Sequence, residues 1–500
     1  MRQVLAILQK DLKHLWPFGS AVAAMIALHG WIDLQMDHGS MKVLNMRFAG
    51  LEPQLLSLAW WCLVGSLIQQ EQPVGDRQYW VSRPVSRLSI VAAKAIFLVI
   101  FVCAPNLLSQ GVVLSLTGFP PRAYLGSLFW NQTVLFVYLV VAAAFASVTR
   151  SFRQYAVTSL VVFVVAGFLL VNQLNSPGGQ WMGVQWVSEI AGQLALLLGG
   201  VMVLAIQYRL RRTGVARLAM GATVVTVLLL LCGPWWHTAF AVTAAVGAHE
   251  AGASRIQIDF EPPPNRAAEH SDENYGSERV ALPVRITGIP NGHQLTSERL
   301  MVTVEAAGTE EWHSAWQANS TVANHTDWRH SEDWLAVDGS YWLSFDIPTA
   351  ELDRVRGKRA NVRADVAFSL FSAPAITRLP PRPRAYPVPD AGHCTLEQTP
   401  QFRRLSCVNP FQNRVSLNLR VPPHGGGQPR LVSFCCEISY SPLPAVGLFS
   451  VWTWGSMAAE GLSDDDEISV EVRRPMSFFE RHLVIDAIPL TRFAVARSRP

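Results

Sequence analysis

The sequence predicts an α-helical membrane bundle of about seven spans, followed by an all-β exterior domain in two sandwich-like lobes. Three observations predict it. Apolar runs of membrane-crossing length fill the first half, charge divides unequally between the halves, and the hydrophobic period changes from helical to alternating near Arg255. Only 16% of the residues are charged, against about a quarter in a soluble domain. Residues 1–249 carry 16 Lys and Arg against 7 Asp and Glu, whereas residues 250–500 carry 25 against 30. The basic residues of the first half stand between apolar runs, which argues against a nucleic-acid-binding face.

Residues 1–17 read as an amphipathic helix. Val4, Leu5, Leu8, Leu12 and Leu15 recur at helical spacing beside Lys10, Asp11 and Lys13. Such a helix lies in the membrane interface or extends the first span, and Pro17 favours a bend between the two. No cleavable signal peptide is evident, so targeting is expected from the first span.

The expected spans are 18–34, 54–70, 90–117, 124–148, 154–173, 185–207 and 218–246, near the about 20 residues that cross about 30 Å of hydrocarbon. The first is short and carries His29 and Asp33. The third contains Pro105, which predicts a kink or break. Cation counts orient the bundle. With the N-terminus in the cytoplasm, inner segments hold 13 Lys and Arg and outer loops hold Lys42, Arg47 and Arg122. Seven spans then place residues 247–500 outside. The expected location is a cell inner membrane with a periplasmic C-terminal region, in contact with lipid and with no nucleic-acid partner.

Asn106, Gln110, Asn131, Glu189 and Gln193 interrupt the apolar runs. Polar groups at such depths are costly, and they line a path or bond between helices. Glu189 is the one acid well inside a span, or it sits near the outer interface where water reaches it.

Segment 71–94, EQPVGDRQYWVSRPVSRLSIVAAK, is too polar for lipid and too short for a domain. Arg77, Arg83 and Arg87 supply cations, and Tyr79 and Trp80 supply rigid apolar anchors. That is the composition of a contact surface, or of a positive-inside loop with interfacial aromatics. The segment resembles the loop between the second and third spans of type 2 ABC transporter permeases. In that family an acid ends the second span, a coupling helix follows, and Arg-Pro-x-Ser-Arg leads to a Lys opening the third. Here Glu71, the stretch 75–80, the run Arg83-Pro84-Val85-Ser86-Arg87, and Lys94 stand in those places. The N-terminal helix is similar to the family's elbow helix, and the resemblance covers roughly residues 1–210.

The resemblance implies a permease domain over 18–246 that works as a homodimer or paired permease on a separate P-loop ATPase subunit. It implies coupling roles for Glu71, Gly75, Asp76, Arg77, Trp80, Arg83, Pro84, Arg87 and Lys94. This chain has no Gly-rich loop ending in Gly-Lys-Ser/Thr, so ATP and Mg are expected on the partner and no cofactor on this chain. The seventh span and the large C-terminal region depart from the family's usual six spans.

From Arg255 onward, runs such as RIQIDF, LMVTVEAA and YWLSFDI are short, β-rich and partly alternating. The proline-rich stretch 379–393 divides lobe 1 (247–378) from lobe 2 (394–500). Cys394, Cys407, Cys435 and Cys436 all fall in lobe 2 and are disulfide candidates with three possible pairings, the vicinal one being strained. His325, His330, Glu332 and Asp333 match no metal template, so no metal site is read. No nucleophile–base set or carboxylate pair stands out, and the chain is not expected to be an enzyme. Two rivals stand beside the permease reading: a non-transporting anchor or sensor presenting the exterior β region, and an intramembrane enzyme.

Overall fold

The computed structural model describes residues 2–37, 43–71, 86–116, 121–174, 185–232, 252–261, 277–314, 339–379, 385–389, 391–398, 402–409, 416–421, 430–433, 450–458 and 468–494. It adds short pieces at 238–239, 241–242, 245, 269–270, 322–324 and 496–497.

The first half is helical. Helices α1 (Arg2–Asp37), α2 (Val43–Gln69), α3 (Arg87–Leu98), α4 (Ala104–Leu116), α5 (Pro121–Val148), α6 (Phe152–Leu174), α7 (Gln185–Ala205) and α8 (Thr213–Cys232) follow in order. Five stretches are long and apolar enough to cross a membrane: Arg2–Ile32, Arg87–Leu116, Leu128–Val148, Ile190–Leu210 and Thr213–Leu231. Gln54–Gln69 and Phe152–Val165 are shorter apolar helices in the same series. Large apolar side chains such as Leu108, Phe129, Leu160, Phe168, Leu198 and Leu218 stand exposed on these helices. Among the described strand-region residues only Ile376 and Val484 do so. A bundle that turns its leucines and phenylalanines outward is built for a lipid solvent.

Three helix details depart from the sequence expectation. The first concerns Pro17, where a bend was expected; residues 1–17 instead continue into the first span, the second of the two readings. Helix α1 runs unbroken through Pro17. Leu8, Asp11, Gly19, Val22, Ile26 and Gly30 are buried and Leu15 is half-buried; together their spacing of three and four residues draws one stripe past the proline. The packing of that stripe holds the helix together across the lost hydrogen bond.

The second concerns Pro105. Residues Val99–Cys103 form a π turn between α3 and α4, with the Ala104 N–H donating to Val99 O. A proline clashes with the carbonyl four residues back, and one widened turn relieves this without ending the helix. The third span therefore widens where a kink or break was expected.

The third concerns the final span. Helix α8 begins at Thr213, five residues ahead of the expected start. Arg211, in the left-handed region at φ 55°, ends the π turn Ile206–Leu210 after α7 and lets the chain reverse. Most of 233–246 lies outside the described residues.

Helix packing in lipid relies on close fit, since lipid tails solvate apolar side chains as well as a core does. Helix α5 supplies a run of small buried residues, Ala142, Ala143, Ala144, Ala146 and Ser147, and packs against α2 and α7. Trp61 of α2 stacks on Tyr155 of α6 at 5.7 Å and 12°. Its Nε1 donates to Ser159 Oγ at 2.9 Å, and Tyr155 OH donates back to Trp61 O at 2.9 Å. Gly65 makes the approach possible, because a Cβ there would overlap the Tyr155 ring.

The second half is β. The strands are β1 (Gln257–Phe260), β2 (Glu269–His270), β3 (Ser277–Thr287), β4 (Gln294–Ala306), β5 (Trp312–His313), β6 (Val322–Asn324), β7 (Gly339–Pro348), β8 (Ala360–Phe371) and β9 (Ala375–Leu379). They continue as β10 (Ala385–Val388), β11 (Gly392–Gln398), β12 (Phe402–Asn409), β13 (Ser416–Val421), β14 (Arg430–Ser433), β15 (Ser450–Ala458), β16 (Ile468–Arg473), β17 (Pro475–Ile488) and β18 (Ala496–Arg497).

Sheets β1-β3-β7-β6 and β17-β8-β4-β5 bury their facing residues in one core, including Val280, Leu282, Phe345, Val302, Val366, Phe368 and Leu483. Two further four-stranded sheets run β10-β11-β12-β15 and β14-β13-β16-β9.

The expected boundary between lobe 1 at 247–378 and lobe 2 at 394–500 is not kept by the strand pairing. Strand β17 pairs with β8 over its length, from Pro475↔Phe371 to Ile488↔Ala360, and so completes the sheet that holds β8, β4 and β5. Strand β9 pairs instead with β16. The chain leaves the first pair of sheets, builds the second, and returns. Arg481 of β17 fastens this return to the start of the β region. Its Nε donates to Ile256 O at 2.8 Å, its Nη2 donates to Ala253 O, and its guanidinium lies 4.6 Å over the Phe479 ring.

Candidate functional site: a polar clamp around segment 71–94

The residues framing segment 71–94 converge on one buried ion cluster. Lys94 sits two turns into α3, Glu71 just beyond the last turn of α2, and Asp11 on the buried stripe of α1. Lys94 Nζ lies 3.0 Å from Asp11 Oδ2 and 2.7 Å from Glu71 Oε2. Lys10 Nζ closes the set at 3.0 Å from Glu71 Oε1. Two cations thus balance two carboxylates. The Asp11 side chain is wholly buried, and that of Lys94 is 5% exposed.

Burial alone would raise the Glu71 carboxyl. The ammonium groups of Lys94 and Lys10 outweigh it and hold the acid below its ordinary range. Such a cluster is satisfied only as a whole, because any one charge left alone at that depth is costly.

The C-terminal side of the segment is held as firmly. Ser86 caps α3, its Oγ accepting from Ser89 N at 3.1 Å. Ser86 N in turn donates to Gln3 Oε1 of α1 at 3.2 Å. Arg87 Nη1 donates to Tyr208 O at 3.1 Å and Arg209 O at 2.7 Å. It thereby satisfies orphan carbonyls where α7 ends, a place that favours a cation.

Neighbouring helix ends are tied at the same end of the bundle. Gln69 Nε2 donates to Ala146 O at 2.7 Å and to Thr149 Oγ1 at 2.9 Å. Arg217 Nε donates to Val148 O at 3.1 Å. The four segments expected on the inner side therefore meet at one end: the N-terminal helix, the 71–94 stems, the 148–153 turn and the 209–217 turn.

Of the expected coupling residues, Glu71, Arg87 and Lys94 belong to this clamp. Gly75, Asp76, Arg77, Trp80, Arg83 and Pro84 lie outside the described residues. Sequence reasoning passed over Asp11 and Gln3. Asp11 looked like one more polar residue of an amphipathic helix, although its place among Leu8, Leu12 and Leu15 was a signal that it faces other helices.

The intramembrane polar residues do not gather in the same way. Asn106 and Gln110 are buried one turn apart on α4, and Gln110 Nε2 donates to Asn106 Oδ1 at 3.4 Å. Asn131 on α5 and Gln193 on α7 are half-buried. Among the described residues no hydrogen bond joins them to the α4 pair. The side chain of Glu189 lies outside the described residues.

In the strand region, Cys394 is buried and stands directly opposite Cys407 in the antiparallel pairing of β11 and β12. Cys435 and Cys436 lie outside the described residues, as do His325, His330, Glu332 and Asp333.

No family model, curated protein or solved structure matches the chain.

Proposed function

We propose that the chain is the membrane-spanning subunit of an ABC-type transporter, and that segment 71–94 receives a separate ATP-hydrolysing subunit. The observation that carries this reading is the buried Asp11–Lys94–Glu71 cluster, which fastens both stems of that segment to α1. A segment anchored in this way passes a displacement into α1 and α3 at once. Through Arg87 it also reaches the end of α7.

The ion cluster keeps the stems at fixed spacing, so the partner's movement is not lost in loop flexibility. Arg77, Trp80, Arg83 and Pro84 supply the contact with the partner, which holds ATP and Mg. The helices rearrange between two access states, as a homodimer or paired permease. The clamp end faces the cytoplasm by the cation count, in a cell inner membrane with seven spans, and the β region is exterior. That region, in two sandwich-like lobes, binds substrate or an envelope partner. The opposed positions of Cys394 and Cys407 favour their disulfide in an oxidising compartment.

The test is the charge reversal Arg83→Glu in the full chain, co-expressed with the candidate ATPase. The expected outcome is lost co-purification and lost ATPase stimulation with the protein still membrane-inserted. Unchanged docking and stimulation would count against the coupling role and favour the anchor or sensor reading.

A further inference from the structure

Strands β17 and β8 bring three metal-ligating side chains together that no motif connects. Their antiparallel register sets His482 opposite Asp365 and Glu480 opposite Ala367. Residues two apart on a strand share a face, so Glu480 and His482 point the same way, with Asp365 beside them. Leu483, Ile485, Ala364 and Val366 of the same strands enter the core, which places the three on the opposite face. One donor atom from each of Asp365, Glu480 and His482 lies within 4.8 Å of the other two. His482 Nδ1 is already 2.7 Å from Asp365 Oδ1. Donors on a tetrahedral ion with bonds of about 2.0 Å stand about 3.3 Å apart, so modest side-chain rotation closes the set.

The charge at the site is of the right sign. Two carboxylates and one imidazole share this patch, a donor set whose net charge suits a divalent cation. Imidazole together with carboxylate suits first-row transition metals better than calcium or magnesium. The His482 side chain is 64% exposed, so further coordination positions open to solvent.

We propose that Asp365, Glu480 and His482 form a site for a divalent transition-metal ion on the outer face of the β17–β8 sheet, with zinc as the reference ion and at least one position open to water or a ligand. The site rests on paired strands of the sheet that carries the core, so its donors are held by the fold. It does not depend on the transporter reading.

The test uses the full chain in detergent, stripped with a chelator and titrated with Zn2+ by calorimetry and with Co2+ by visible absorption. A triple variant, Asp365→Asn with Glu480→Gln and His482→Ala, subtracts binding elsewhere on the chain. The expected result is about one equivalent beyond the triple variant, with His482→Ala alone weakening binding about tenfold or more. The Co2+ spectrum should show imidazole and carboxylate ligation that is absent from the triple variant. Titrations of wild type and triple variant that coincide, with both proteins folded by thermal melt, overturn the proposal. So does binding undiminished in His482→Ala.

Discussion

At the scale of single residues, the chain's strongest commitment is Lys94. It pairs with two carboxylates, Glu71 and the wholly buried Asp11, and Lys10 supplies the second cation. Lys94→Met should therefore destabilise the helical region by about 3–5 kcal/mol, the cost of orphaning a buried charge. Adding Asp11→Asn should restore part of the loss, because Asp11 is the carboxylate left stranded while Glu71 keeps Lys10. Thermal unfolding in detergent reads both variants, and a single variant as stable as wild type would show that the cluster is not the anchor described. Glu71 adds a pH signature. Its folded-state carboxyl lies below the ordinary value of 4.5, so its contribution is complete above that pH and is lost as the pH falls through the folded value. The stability gap between wild type and Glu71→Gln should be level at neutral pH and should narrow on acidification below about 4.5. A gap that widens on acidification would reverse the assigned sign. Glu71 and Lys94 were legible in the sequence because a resemblance pointed at them. Asp11 was not, since nothing in a local pattern tells a buried acid from an exposed one when its partner is 83 positions away.

At the scale of elements, packing overrides the local signals that proline and glycine give. Pro17 and Pro105 both read as interruptions. One sits inside an unbroken helix with a continuous buried stripe, and the other follows a π turn that makes room for its ring. Gly65 carries the opposite lesson. Glycine is a poor helix former, yet this one admits the Tyr155 ring that joins α2 to α6. Gly65→Ala should destabilise the bundle by about 1–3 kcal/mol through overpacking, and an unchanged melting temperature in detergent would show that the two helices separate freely. In the β region, Arg473 of β16 is buried, with Nη1 donating to Gly292 O at 2.8 Å and Ser372 O at 3.0 Å. Burial lowers its pKa against the opposing pull of Glu471. Arg473→Met should cost about 2–4 kcal/mol by leaving the Gly292 and Ser372 carbonyls without their donor, seen as earlier loss of β-sheet circular dichroism on heating. The strands themselves were readable from alternation. Their partners were not, because β17 returns across more than a hundred residues to close a sheet with β8, and alternation carries no record of which strand lies alongside.

At the scale of the whole molecule, the division into an apolar helical half and a charged β half follows directly from composition, and the structure keeps it. The clamp ties both described ends of the most polar segment of the helical half into the bundle. Lys10, Glu71, Asp11 and Lys94 connect its stems to α1, while Gln3 and Arg87 extend the connection to α3 and α7. What that segment touches on its free side decides the function. The direct measurement is affinity purification of the full chain from its host membrane in mild detergent, with the bound proteins identified by mass spectrometry. A P-loop ATPase recovered in stoichiometric amount from wild type, and lost from Arg83→Glu, is the predicted result. An intact, membrane-inserted chain recovered with no ATPase would contradict the coupling role of segment 71–94 and the transporter reading with it.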